Sequence, residues 1–127
     1  MLPENLSGTT VSQCLRYEPA SFSLNGQIVR GRFVNASNKA ELVWLLKLDA
    51  SVCVDGDGGD SINQKAENVV RLQLVLTPTD YQRFGKYSNQ RVSVDGTLFY
   101  GHTQHHFTEV LLSVSAIHLN ECAALLH

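Results

Sequence analysis

Val69-Val70-Arg71-Leu72-Gln73-Leu74-Val75-Leu76-Thr77-Pro78-Thr79-Asp80-Tyr81-Gln82-Arg83-Phe84-Gly85 carries two different periodicities back to back. The first half alternates, with Val70, Leu72, Leu74 and Leu76 read inward and Arg71 and Gln73 read outward, the pattern of a strand with one buried face. At Thr77 the signal changes to a helix start. Thr77 is placed to cap, Pro78 falls at the first helical position and Asp80 in the first turn. Tyr81 and Phe84 are expected to point inward, and Gly85 to stop the helix.

Upstream lie two further strand patterns. Phe22 to Val34 presents Phe22, Leu24, Ile28 and Phe33, interrupted by Asn25-Gly26 and Gly31, and reads as a bent strand. After the polar break 35–39, Leu42, Trp44, Leu46 and Leu48 fall on one face, which is expected to be core. That strand resumes at Val52-Cys53-Val54 and runs into the acidic stretch 55–60. Downstream, Arg91 to Tyr100 alternates through Val92, Val94, Leu98 and Tyr100, and Val110 to Leu119 supplies a last strand. Three strands, a short helix, then two strands is the element order of the OB-fold, whose helix sits between strands three and four. The predicted architecture is therefore all-β: a five-stranded OB-like barrel spanning 1–127 as a single domain, with 1–13 an N-terminal arm and 120–127 a C-terminal tail. A β-sandwich is the rival, because strand patterns do not fix topology.

At 127 residues the chain is long enough to bury one core without a partner. Its ten basic residues are dispersed and outnumbered by twelve acidic ones. Nucleic acid is thereby disfavoured as a partner, since phosphate binding relies on clustered cations. No run approaches the roughly 18 apolar residues of a membrane helix, so no span is expected. Cys14, Cys53 and Cys122 lack metal-site spacing. One disulfide fits them, but three single pairings are open and spacing does not choose among them.

Several landmarks together resemble a family of small exported bacterial domains of uncharacterised function. They are Cys14-Leu15-Arg16-Tyr17-Glu18, Leu24-Asn25-Gly26, Trp44 to Asp49 with Cys53-Val54, and Val92 to Phe99 running into His102-Thr103-Gln104-His105-His106. The resemblance covers about residues 14 to 119 and implies export, a Cys14–Cys53 disulfide and an OB-like barrel. It implies no reaction. Phe107 replaces a further histidine of that pattern and Glu109 a proline. Met1-Leu2-Pro3-Glu4-Asn5 shows no basic or apolar leader. Export to the periplasm or medium is then expected with the signal peptide already removed.

The densest set of functional side chains is His102, His105 and His106, with Glu109 close behind. Neutral imidazoles and a carboxylate suit zinc or copper, and a periplasmic metal-binding protein using this loop is the alternative reading. The plainer one is that His102 and His105 order the loop by hydrogen bonds to backbone groups. A zinc hydrolase needs three ligands, an open position and a base. No HExxH or other helix-borne ligand pair appears, and Ser113 and Ser115 lack a nucleophile elbow, so no catalytic residue is assigned and no cofactor beyond zinc is implied. The acidic stretch fails as an EF-hand, having Asp60 where glycine is needed and Ala66 where the bidentate glutamate is needed. What remains is a non-enzymatic binding module docking a protein partner, such as a toxin or effector held by an inhibitor or immunity-type protein. Its expected surface is Asp55, Asp57, Asp60, Tyr100, His102, His105, His106 and Phe107, because binding residues collect on loops held by a rigid scaffold.

Overall fold

The computed structural model describes residues 14–59 and 61–120. The N-terminal arm, Asp60, Cys122 and the tail beyond Asn120 lie outside the described residues. The elements are β1 (Leu15–Arg16), β2 (Ser21–Val34), β3 (Ala40–Asp55), β4 (Ala66–Val75), helix α1 (Pro78–Phe84) with a 3-10 turn at Gly85–Tyr87, β5 (Arg91–Tyr100) and β6 (Val110–Leu119). Among the described residues the chain is mostly β, with one short α-helix between β4 and β5. The five long strands are those read from the sequence; the two-residue β1 is an addition.

The long strands close into a ring. β2 pairs antiparallel with β3 and β5, β3 with β4, and β5 with β6, while β4 and β6 close the ring by a parallel pairing. β1 adds in parallel to β3 through Leu15↔Val54 and Arg16↔Asp55, and Cys14 is disulfide-bonded to Cys53 beside that pairing. Two glycines allow the strands to pass closely. A Cβ on Gly26 would lie 2.2 Å from the Lys47 carbonyl oxygen, and one on Gly96 would lie 2.1 Å from that of Ser113, so neither position accepts a side chain without a backbone shift.

Inside the ring, Ile28, Leu46, Leu72, Val92, Leu98 and Leu112 are fully buried. Helix α1 closes one end with Phe84, buried, and its start is a full capping box. The Thr77 hydroxyl accepts from the Asp80 amide at 3.1 Å, and the Asp80 carboxylate accepts from the Thr77 amide at 3.2 Å. Gly85 ends the α-helix, as expected, in a right-handed conformation. Its φ is −56° and the chain tightens into the 3-10 turn before Asn89 takes the positive φ. Tyr81 is only half inward, its ring edge-on to Trp44 at 5.4 Å.

Three side-chain environments differ from expectation. Leu42 is 68% exposed, because β3 and its partner β2 run on past the ring as a projecting hairpin: β2–β5 pairing ends at Gln27↔Arg91 while β2–β3 pairing continues to Val34↔Ala40. Val70 faces out and Val69 in, because the β3–β4 register jumps from Lys47↔Arg71 to Val52↔Val69, five residues on one strand against two on the other. Gln73, read as solvent-facing, is buried. It does sit on the outer face, but that face is covered. The register places Val29, Leu45, Gln73, Leu111 and Phe99 on one rung across five strands, and Leu45 and Leu111 on that rung are buried as well.

Candidate functional site

Residues 101–109, joining β5 to β6, form the cover over that rung. The Gly101 amide donates to the Glu109 carbonyl at 2.9 Å and closes the loop's base. Gln73 then holds the loop at three points. Its side-chain amide donates to the His105 carbonyl at 2.9 Å, its Oε1 accepts from the Phe107 amide at 2.6 Å, and its own backbone amide donates to Thr108 Oγ1 at 3.0 Å. The Thr108 hydroxyl in turn donates to the Val110 carbonyl at 2.7 Å. A primary amide has both a donor and an acceptor, and both are used here.

The same loop grips the projecting β2–β3 hairpin. Phe107 stacks on Phe33 with ring centroids 4.9 Å apart and planes 7° apart, an offset of aromatic faces that adds to simple area burial. His105 Nδ1 meets Glu41 Oε2 at 2.5 Å. At the tip, the Ser37 hydroxyl donates to Gln104 Oε1 at 3.1 Å. The tip is itself ordered by Asn35, whose side-chain oxygen accepts from the Ser37 and Lys39 amides and whose side-chain nitrogen donates to Glu41 at 2.6 Å. That bond first, and His105 second, holds the Glu41 carboxyl below the usual glutamate range against the opposing effect of burial.

The three histidines are thus separated in role. His106 Nδ1 accepts two backbone amides, from His102 at 3.0 Å and Thr103 at 3.2 Å, so its proton sits on Nε2. Burial, then the neighbouring His102 and His105, push its pKa down. His102 directs Nδ1 at the Tyr100 carbonyl, 3.0 Å away, and its ring stands edge-on to His106 at 4.9 Å. Both rings rest on Phe99, at 6.0 and 5.4 Å. A metal ion at His106 Nε2 would require the proton to move to Nδ1, against two N–H groups already pointed there. Among the described residues, no group of three or more His, Cys, Asp or Glu is placed to hold a metal ion. Glu109 receives the Tyr100 hydroxyl at 3.3 Å.

The acidic loop lies at a different edge. Asp55 pairs with Lys65 at 3.4 Å. Asp57 accepts from the Asn63 side chain at 2.7 Å, and Asn63 Oδ1 in turn accepts from the Tyr100 amide at 3.0 Å, tying this loop to β5. Asp55 and Asp57 border an open cleft of about 780 Å³ floored by Tyr17. The Tyr17 hydroxyl donates to the Gln64 carbonyl. Burial, reinforced by Glu109, Tyr100 and Asp57, pushes Tyr17 up to about 12, so it stays a neutral donor.

Of the residues marked in the sequence, His105 and Phe107 stand at the loop's grip on the hairpin, and His102, His106 and Tyr100 at its base. Asp55 and Asp57 belong to the separate cleft. Gln73, Glu41 and Phe33 were not marked. Gln73 had one signal, a polar residue in the middle of an apolar strand; Glu41 and Phe33 had none, since their partners are more than sixty residues away.

Residues 71–118 match the family model described as a domain of unknown function (DUF4431). The matched span runs from Arg71 in β4 through the helix to the end of β6 and contains the whole 101–109 loop. No curated protein matches the chain.

Proposed function

We propose that this chain is an exported, non-enzymatic binding module, an OB-like barrel whose hairpin tip 35–39 and loop 101–109 together dock a protein partner in the manner of an inhibitor or immunity-type protein. The ring order supports the OB-like reading, as does the helix between the third and fourth long strands. In OB-folds, ligands are taken by the face of strands two and three and by the loops joining strands one to two and four to five. Here those loops are 35–39 and 101–109.

The observation that carries the reading is that these two loops are fastened to one another. Ser37 to Gln104, Glu41 to His105 and Phe33 to Phe107 join them, while Gln73 anchors the second loop from beneath. A surface already held in one shape has little ordering entropy left to lose on binding, which suits recognition of a folded partner. The disulfide supports an oxidising compartment, periplasmic or extracellular. The test is photo-crosslinking in cell-envelope extract with the crosslinker at Gln104, against the same crosslinker at Leu119. A single protein joined at Gln104 and not at Leu119, and lost when Ser37 and Glu41 are both changed to alanine, supports docking by the fastened loops. Equal labelling at both positions overturns it.

A further inference from the structure

Beside the seam between β3 and β4, Val29, Leu48 and Val70, with the buried Leu45 behind them, line an open groove of about 420 Å³ next to Lys47 and Arg71. The groove exists because of the register jump in β3–β4. Between Lys47↔Arg71 and Val52↔Val69 no pair is registered, so residues 48–51 have no opposite number on β4, and Val70 turns outward at 55% exposure.

Its charge is unusual. Lys47 and Arg71 stand directly opposite each other across the ladder and both are exposed. Like charges in that position repel, where opposite charges would stabilise. Among the described residues neither takes part in an ion pair; Arg71 lies 6.0 Å from the Phe33 ring. Asp49, the carboxylate lining the groove, is held by Arg91 at 2.6 Å and forms no ion pair with either cation. A chain with formal net charge −2 thus places two adjacent cations beside an apolar floor.

We propose that this groove docks an extended acidic segment of a partner protein, with apolar side chains seated on Val29, Leu48 and Val70 and carboxylates on Lys47 and Arg71. The inference rests on the binding-module reading but uses a groove that adjoins the fastened loops at Arg71 and takes no lining residue from them. Two cations over an apolar floor suit a short protein segment; a nucleic acid or sulfated glycan gains its affinity from a longer track of positive charge.

The test is fluorescence anisotropy with a labelled synthetic peptide alternating glutamate and leucine, beside a lysine-leucine peptide and a heparin oligosaccharide. The acidic peptide is expected to bind, to weaken with added salt, and to lose about tenfold or more in affinity to a Lys47→Glu/Arg71→Glu protein. The milder Lys47→Gln/Arg71→Gln protein, checked for a native melt, is expected to lose a smaller factor. A Gln104→Ala protein is expected to bind the peptide as before, so failure here and failure of the loop reading are separate results. Unchanged affinity in both charge variants overturns the proposal, as does absence of acidic-peptide binding up to about 1 mM. Heparin binding without peptide binding overturns it in favour of a polyanion surface.

Discussion

The backbone amide of Phe107 donates to the side-chain oxygen of Gln73 at 2.6 Å, across 34 residues of sequence. That bond and its companion from the Gln73 amide to the His105 carbonyl turn a polar residue in an apolar strand into the anchor of a loop. Gln73→Leu keeps the volume and removes both bonds, leaving an N–H and a C=O without partners. The expected loss is about 2 kcal/mol in denaturant unfolding, with the midpoint lowered and the slope unchanged.

The loop's acid sensitivity follows from His106. Its folded pKa lies below its ordinary 6.5, so the unfolded chain takes up a proton first as pH falls. The stabilisation is fully present above 6.5 and is lost as pH drops through the folded value. His102 and His105 face it and add to the cost of protonation. Glu41, also depressed, contributes above its ordinary 4.5 and loses that contribution lower still. Melting temperature is expected to fall between about pH 7.5 and 5.5, and His106→Asn, whose side-chain oxygen can accept the same two amides, is expected to flatten that decline.

Reduction of Cys14–Cys53, 39 residues apart, releases a loop whose closure entropy corresponds to about 4 kcal/mol in the chain-entropy account. A Cys14→Ser/Cys53→Ser protein is expected to unfold at markedly lower denaturant, and addition of reductant to bring the wild type to the same midpoint.

Zinc is expected to leave the melting temperature of chelator-treated protein unchanged. A ligand that binds only the folded state must raise it by mass action, and His106 Nδ1 is already committed to two amides. A zinc-dependent rise abolished by His102→Ala would restore the metal-binding alternative.

The residues of β5 were legible from alternation, with the bounds observed, because Val92, Val94 and Leu98 face the core along the strand; β6 was read with its observed bounds as an apolar run, being buried on both faces at Val110, Leu111 and Leu112. The helix start at Thr77 was equally legible, since a capping box is a local chemical signal. Leu42, Val70 and Gln73 were not. Period two says which residues share a face, not whether the strand outruns its neighbour, slips register or lies under a loop. The histidine loop could be picked out as a cluster, but what it grips could not: Glu41 and Phe33 are brought to it only by the β2–β3 hairpin.

Amide hydrogen exchange and backbone relaxation of residues 101–109 test most directly whether this loop is a prebuilt docking surface. The Phe107 amide is expected to exchange as slowly as neighbouring β6 amides, with order parameters across the loop near about 0.85. Fast exchange at Phe107 with order parameters below about 0.6 would contradict the account, because a loop that mobile is not fastened to Gln73 and Glu41.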